Sequence, residues 1–123
     1  MPNFSFVLLY VENPPDSATF YADLLGRAVI DSSPTFAMLP LTDGVMLGLW
    51  SRRTVEPAAN APAGAGEVAF TVEDAAAVAA TFADWKQRGL TILQEPVQMD
   101  FGHTFVAADP DGHRLRVFVP GAA

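Results

Sequence analysis

His103 and His113 are the two side chains here whose ordinary pKa lies near neutrality. His103 could hydrogen-bond a ligand or act as a general base, and Asp100, three residues earlier, is its nearest carboxylate in sequence. His113 stands in an Asp-Gly-His-Arg segment, where a solvated turn residue is expected. None of the five serines (5, 17, 32, 33 and 51) sits in a nucleophile context, so a Ser-His-Asp system has no support. The chain has no cysteine, which excludes disulfides, thiolate zinc sites and cysteine nucleophiles.

Recognition has more material than catalysis. Side chains alternate along a strand, so Trp50 shares a face with Gly48. Phe36 and Met38 share one face of the preceding strand, and Phe118 shares one with Arg116. Phe101 and His103 flank Gly102 on the way into another strand. Aromatic surfaces with few polar groups suit a planar ligand. Phe20, Phe70 and Phe82 are expected in the core, and Trp85 in helix packing or a dimer contact.

These residues hang on a layout written twice. Phe6-Val-Leu-Leu-Tyr-Val-Glu-Asn13 aligns with Glu67-Val-Ala-Phe-Thr-Val-Glu-Asp74, and Thr19-Phe20 with Thr81-Phe82. Asp43-Gly44-Val-Met-Leu-Gly48 aligns with Asp111-Gly112-His-Arg-Leu-Arg116. The offset drifts by only a few residues, as it would between halves whose loops differ in length. Each half reads as strand, helix and three strands. The run from Phe6 to Val11 is apolar and free of Gly and Pro, which predicts a strand. Asn13 caps a helix that Pro14 and Asp16 favour, with a stripe of Phe20, Tyr21, Leu24 and Leu25 and a stop at Gly26. In the second half Asp74 caps, Val78, Phe82 and Trp85 face inward, and Gly89 ends the helix. Strands are predicted over about 28–32, 36–41 and 45–50, and again over about 91–95, 103–108 and 114–119. Asp43-Gly44 and Asp111-Gly112 signal hairpin turns.

Composition narrows the classes. A chain of 123 residues makes one domain, read as a module over about 1–52, a connector over 53–66 and a module over about 67–120. Half of the residues are hydrophobic, yet no run reaches transmembrane length, so no membrane partner is expected. The net charge of −7 disfavours nucleic acid. No secretory signal is visible at Met1-Pro2-Asn3-Phe4, and a cytoplasmic location is expected. Walker loops, Gly-rich dinucleotide fingerprints and Gly-x-Ser-x-Gly elbows are absent.

The doubled plan, the Leu9-Tyr-Val-Glu-Asn13 opening, Phe20-Tyr-Ala-Asp-Leu-Leu-Gly26 and the closing Asp109-Pro-Asp-Gly-His-Arg-Leu-Arg-Val117 resemble the glyoxalase/bleomycin-resistance/extradiol-dioxygenase superfamily, also called vicinal oxygen chelate. The resemblance covers nearly the whole chain. It implies an α+β fold of two βαβββ modules whose sheets curve into an open cavity. It also implies a homodimer. Metal-using members carry His, Gln or Glu on the first and last strand of each module. Carried over, those positions are Phe6, Gly48, Glu67 and Arg116. Phe6 has no donor atom, Gly48 no side chain, and Arg116 cannot deprotonate. The chain neighbours of Phe6, Gly48 and Arg116 do not supply the missing His, Gln or Glu. One carboxylate makes no metal site, so neither metal nor other cofactor is expected.

On this alignment Glu67 and Arg116 face each other across the second module. Either they form a plain ion pair in a vacated site, or Glu67 holds Arg116 to present donors to an anionic or carbonyl group. The expected ligand-binding set is Phe6, Phe36, Met38, Gly48, Trp50, Glu67, Phe101, His103, Arg116 and Phe118, with no catalytic residue and with room for a flat ring beside Trp50 above Gly48. The expected function is metal-independent binding of a small aromatic or hydrophobic molecule, such as sequestration of an aromatic antibiotic. The alternatives are a lyase, isomerase or dioxygenase of the same fold, and a protein-interaction module with a vestigial cavity.

Overall fold

A computed structural model describes residues 1–121. The chain divides into two units, Met1–Ala61 and a second that begins at Pro62, inside the segment read as a connector. Each unit has the expected order of strand, helix and three strands.

The first unit contains β1 (Phe6–Val11), α1 (Pro14–Leu25), β2 (Asp31–Ser32), β3 (Phe36–Thr42) and β4 (Val45–Ser51). Its sheet has the order β1-β4-β3-β2, with β1 parallel to β4 and the other pairs antiparallel. A parallel pair needs a crossover, and the chain through α1 provides it. The Asn13 side chain accepts the Asp16 N–H at 3.1 Å, Pro14 occupies the first helical position, and Gly26 closes the helix in the left-handed conformation. Alternation sets the core. Val11, Ala37, Leu39, Leu47 and Leu49 are buried on the side that meets Ala18 and Tyr21 of α1. Each buried valine or leucine among them contributes about 1.5–3 kcal/mol on burial. Of the expected α1 stripe Tyr21 is fully buried, while Phe20, Leu24 and Leu25 are half-buried. The small Ser17 and Ala18 take the closest positions against the sheet.

The second unit repeats this with β5 (Glu67–Thr71), α2 (Ala75–Gln87), β6 (Thr91–Met99), β7 (Gly102–Ala108) and β8 (Arg114–Pro120). Its sheet order is β5-β8-β7-β6, with β5 parallel to β8. The Asp74 carboxylate accepts the Ala77 N–H at 2.7 Å and starts α2. Trp85 packs edge-on against Phe105 at 5.5 Å and Phe70 at 6.2 Å, and Phe82 against Phe105 at 5.6 Å. These aromatics, with Val78, Leu115 and Val117, form the core. The buried Asp109 carboxylate organises the β7–β8 turn by accepting the N–H groups of Asp111 at 2.9 Å and His113 at 2.8 Å. His113 is half-buried there rather than fully solvated.

Two strands differ from expectation. β2 has only two residues and leaves Val29 and Ile30 exposed before it. β6 runs on through Pro96 to Met99. Pro96 is tolerated because β6 is an edge strand, and the register shifts between Ile92 and Gln94 and between Gln94 and Val97. No helix among the described residues is long and apolar enough to cross a membrane.

Candidate functional site

Helices cover one face of each sheet, so the opposite face of each holds the candidate residues other than His103. In the first unit the parallel register sets Phe6 beside Met46, Leu8 beside Gly48 and Tyr10 beside Trp50. The antiparallel register adds Phe36 beside Trp50 and Met38 beside Gly48. The sequence-predicted Phe6, Phe36, Met38, Gly48 and Trp50 therefore share one open face, and Leu8 and Tyr10 join them. Phe6, Leu8 and Tyr10 stay exposed although strongly apolar. Trp50 stands edge-on to Tyr10 at 6.4 Å and to Phe36 at 6.2 Å.

The space above Gly48 is already filled. A Cβ there would lie 2.6 Å from Leu8 Cδ2 and 3.0 Å from Phe36 Cζ. The expected room for a flat ring at Gly48 is therefore corrected: glycine permits Leu8 and Phe36 to close over the strand. Their closure makes a continuous apolar surface that ends at Trp50.

In the second unit Glu67 and Arg116 meet across β5 and β8. Arg116 Nε donates to Glu67 Oε1 at 2.8 Å, and Nη2 to Oε2 at 3.0 Å. Arg116 Nη1 donates to Thr104 Oγ1 at 3.1 Å and to Gln94 Oε1 at 3.3 Å. The buried Thr104 hydroxyl in turn donates to the Val117 carbonyl at 2.9 Å. The guanidinium lies 5.5 Å from the Phe101 ring centroid, and Phe101 stands edge-on to Phe118 at 5.9 Å. Hydrogen bonding by Arg116 holds the Glu67 carboxyl below its ordinary pKa; burial opposes this, and the charges of Arg116 and Arg114 reinforce it. Arg114 adds a second cation, with Nε 3.4 Å from Glu67 Oε2.

Glu67, Phe101, Arg116 and Phe118 are thus brought together, with Thr104, Gln94 and Arg114 beside them. His103 is not. It pairs with Val119 and alternates with Phe105, which meets α2, so strand geometry puts His103 on the helix side. Thr104 was open to the same alternation argument counted from Gly102. Gln94 was not, because two register shifts on β6 break the period. Arg114 lies two residues from Arg116 and was legible by period, but its position matches none of the four ligand positions that the resemblance implies.

The four positions that hold ligands in metal-using members do not fit a metal. Phe6 offers no donor, the Gly48 position is overlaid by Leu8 and Phe36, and both Glu67 oxygens are engaged by Arg116. No group of three or more His, Cys, Asp or Glu side chains among the described residues is arranged to hold an ion.

The family model for the Glyoxalase/Bleomycin resistance protein/Dioxygenase superfamily matches residues 3–117. A phenazine antibiotic resistance protein of Enterobacter agglomerans is 29% identical over 113 residues, covering 89% of this chain and 86% of its own length. A protein of Agrobacterium tumefaciens, solved by NMR in solution, is 53% identical with a TM-score of 0.90, over 99% of this chain and 100% of that one. A glyoxalase-related enzyme of Fulvimarina pelagi is 22% identical with a TM-score of 0.83, over 97% of this chain and 88% of that one, a likeness of fold.

Proposed function

The chain belongs to the Glyoxalase/Bleomycin resistance protein/Dioxygenase superfamily, and on that footing we propose that it binds planar aromatic compounds without a metal and sequesters them, as a resistance protein would. The observation that carries this reading is the open face of the first sheet. Trp50, held edge-on by Tyr10 and Phe36, offers a rigid aromatic wall, and Phe6 and Leu8 extend it with apolar surface that the helix does not cover. Exposed apolar surface of this kind on a small unit marks an interaction site. The relative named for phenazine resistance supplies the ligand class, a flat fused heteroaromatic ring system.

Sequestration needs no catalytic group. Stacking and burial contribute a few kcal/mol. After the cost of association they correspond to micromolar rather than nanomolar binding. Calorimetric titration with phenazine tests the proposal, with saturable one-site binding per chain as the expected result. Native mass spectrometry of protein purified from its source should show a co-purifying aromatic compound. Absence of saturable binding across a panel of fused-ring aromatics contradicts the reading.

We infer further that the protein is a homodimer acting in the cytoplasm. β1 and β5 each lie at the edge of a sheet, and exposed strand edges are commonly covered by a partner. Sedimentation at micromolar concentration should show twice the chain mass; a species of 13.1 kDa contradicts the dimer.

A further inference from the structure

Resting on the proposed binding of planar aromatic compounds, we infer that the open face of the second sheet takes acidic aromatic ligands within its own unit, beside Phe101 and Phe118, and that Arg114 is its specificity-determining residue. Arg116 is the more obvious cation, but its donors are largely committed. Nε and one Nη2 hydrogen serve Glu67, and Nη1 serves Thr104 and Gln94. A guanidinium has five N–H donors, so one remains. The Phe101 ring lies against the same group. Arg116 is part of the scaffold that fixes Glu67.

Arg114 is bound differently. Its Nε lies 3.4 Å from Glu67 Oε2, an electrostatic contact without hydrogen-bond geometry. That Nε is buried and has no hydrogen-bond partner, while the side chain as a whole is 39% exposed. The buried Nε faces Glu67 and is closed to a ligand, so the exposed guanidinium end of Arg114 is what meets an incoming acceptor. The planar fork of a guanidinium matches a carboxylate by two parallel hydrogen bonds. Arg114 sits across from Glu67 on one side and Ala108 on the other.

The charge balance points the same way. Among the described residues, Glu67 is the acidic side chain ion-paired with Arg114 and with Arg116. Two guanidiniums against one carboxylate leave this patch one unit positive, on a chain with a net charge of −7. The patch therefore favours a monoanion, such as the carboxylate of an aromatic acid, over a neutral ring of equal shape.

The test compares phenazine-1-carboxylate with the neutral phenazine-1-carboxamide by calorimetry at pH 7 and low salt, using the full chain. The carboxylate should bind about ten- to a hundredfold tighter, the factor expected for a charge-assisted hydrogen bond. Arg114→Gln should abolish that preference while shifting carboxamide affinity less than about twofold, a split that a merely structural role does not produce. Glu67→Gln removes the one opposing charge and should widen the preference, which keeps the test decisive if Arg114→Gln does not fold. A carboxamide that binds as tightly as the carboxylate, a preference that survives Arg114→Gln, or one that does not widen in Glu67→Gln overturns the role of Arg114 alone. Failure of both compounds to bind wild-type protein overturns the proposed function with it.

Discussion

Arg116 and Glu67 grip each other by two parallel hydrogen bonds, Nε to Oε1 at 2.8 Å and Nη2 to Oε2 at 3.0 Å, with only 16% and 29% of the two side chains exposed. A carboxylate so held has a folded-state pKa below its unfolded value. The stability it contributes is present above the unfolded pKa, near the ordinary carboxylate range, and is lost as pH falls through the lowered folded value. Melting temperature measured from pH 7 down to pH 3 should therefore fall less steeply in Glu67→Gln than in wild type. Parallel curves would mean that the pair carries no linkage.

Breaking the pair from the other side strands the Glu67 carboxylate and removes the Arg116 donor from Thr104 Oγ1 and Gln94 Oε1. Arg116→Met should cost roughly 1–3 kcal/mol, between the value of an exposed pair and that of a broken buried one. Arg114 remains to compensate in part. Denaturant titration with an unchanged slope reads this directly.

Two glycines should respond very differently to alanine. At Gly102 φ is 153° and a Cβ would lie 2.0 Å from the Val119 carbonyl oxygen, so the backbone itself must move. Gly102→Ala should cost about 3 kcal/mol or more, or prevent folding. At Gly48 the clash is with the ends of the Leu8 and Phe36 side chains, which can turn aside. Gly48→Ala should cost about 1–2 kcal/mol. It should also weaken aromatic binding by displacing Phe36 from Trp50. Equal effects at the two positions would contradict this account of the packing.

Elemental analysis of untagged protein should find well under one transition metal per chain, because the donors at the four corresponding positions are missing or already engaged. About one zinc, nickel or iron ion per chain, lost on Glu67→Gln, would contradict metal-independent binding.

Much of the fold was legible because its signals are local. Asn13 and Asp74 cap helices, Asp43-Gly44 and Asp111-Gly112 turn hairpins, and the doubled order of elements survives low identity between the halves. The Glu67–Arg116 contact was legible from the resemblance together with alternation. What escaped depended on breaks in the period or on packing. Gln94 reaches Arg116 only because β6 shifts register twice. The space at Gly48 looked open because sequence does not show Leu8 and Phe36 folding over it. His103 was grouped with Phe101 by proximity in the chain, but Phe101 lies in the turn before β7, outside the period that sets His103 on the face of Phe105. The unequal engagement of Arg114 and Arg116 is a matter of hydrogen-bond geometry, which composition and spacing do not encode.

The binding proposal is tested most directly by tryptophan fluorescence during titration with phenazine. Trp50 lies on the open aromatic face of the first unit, whereas Trp85 is buried between Phe70 and Phe105 in the core of the second. Saturable quenching with a micromolar midpoint is predicted, most of it lost in Trp50→Phe and retained in Trp85→Phe. No saturable quenching in wild type, or quenching that survives Trp50→Phe and disappears in Trp85→Phe, would contradict it.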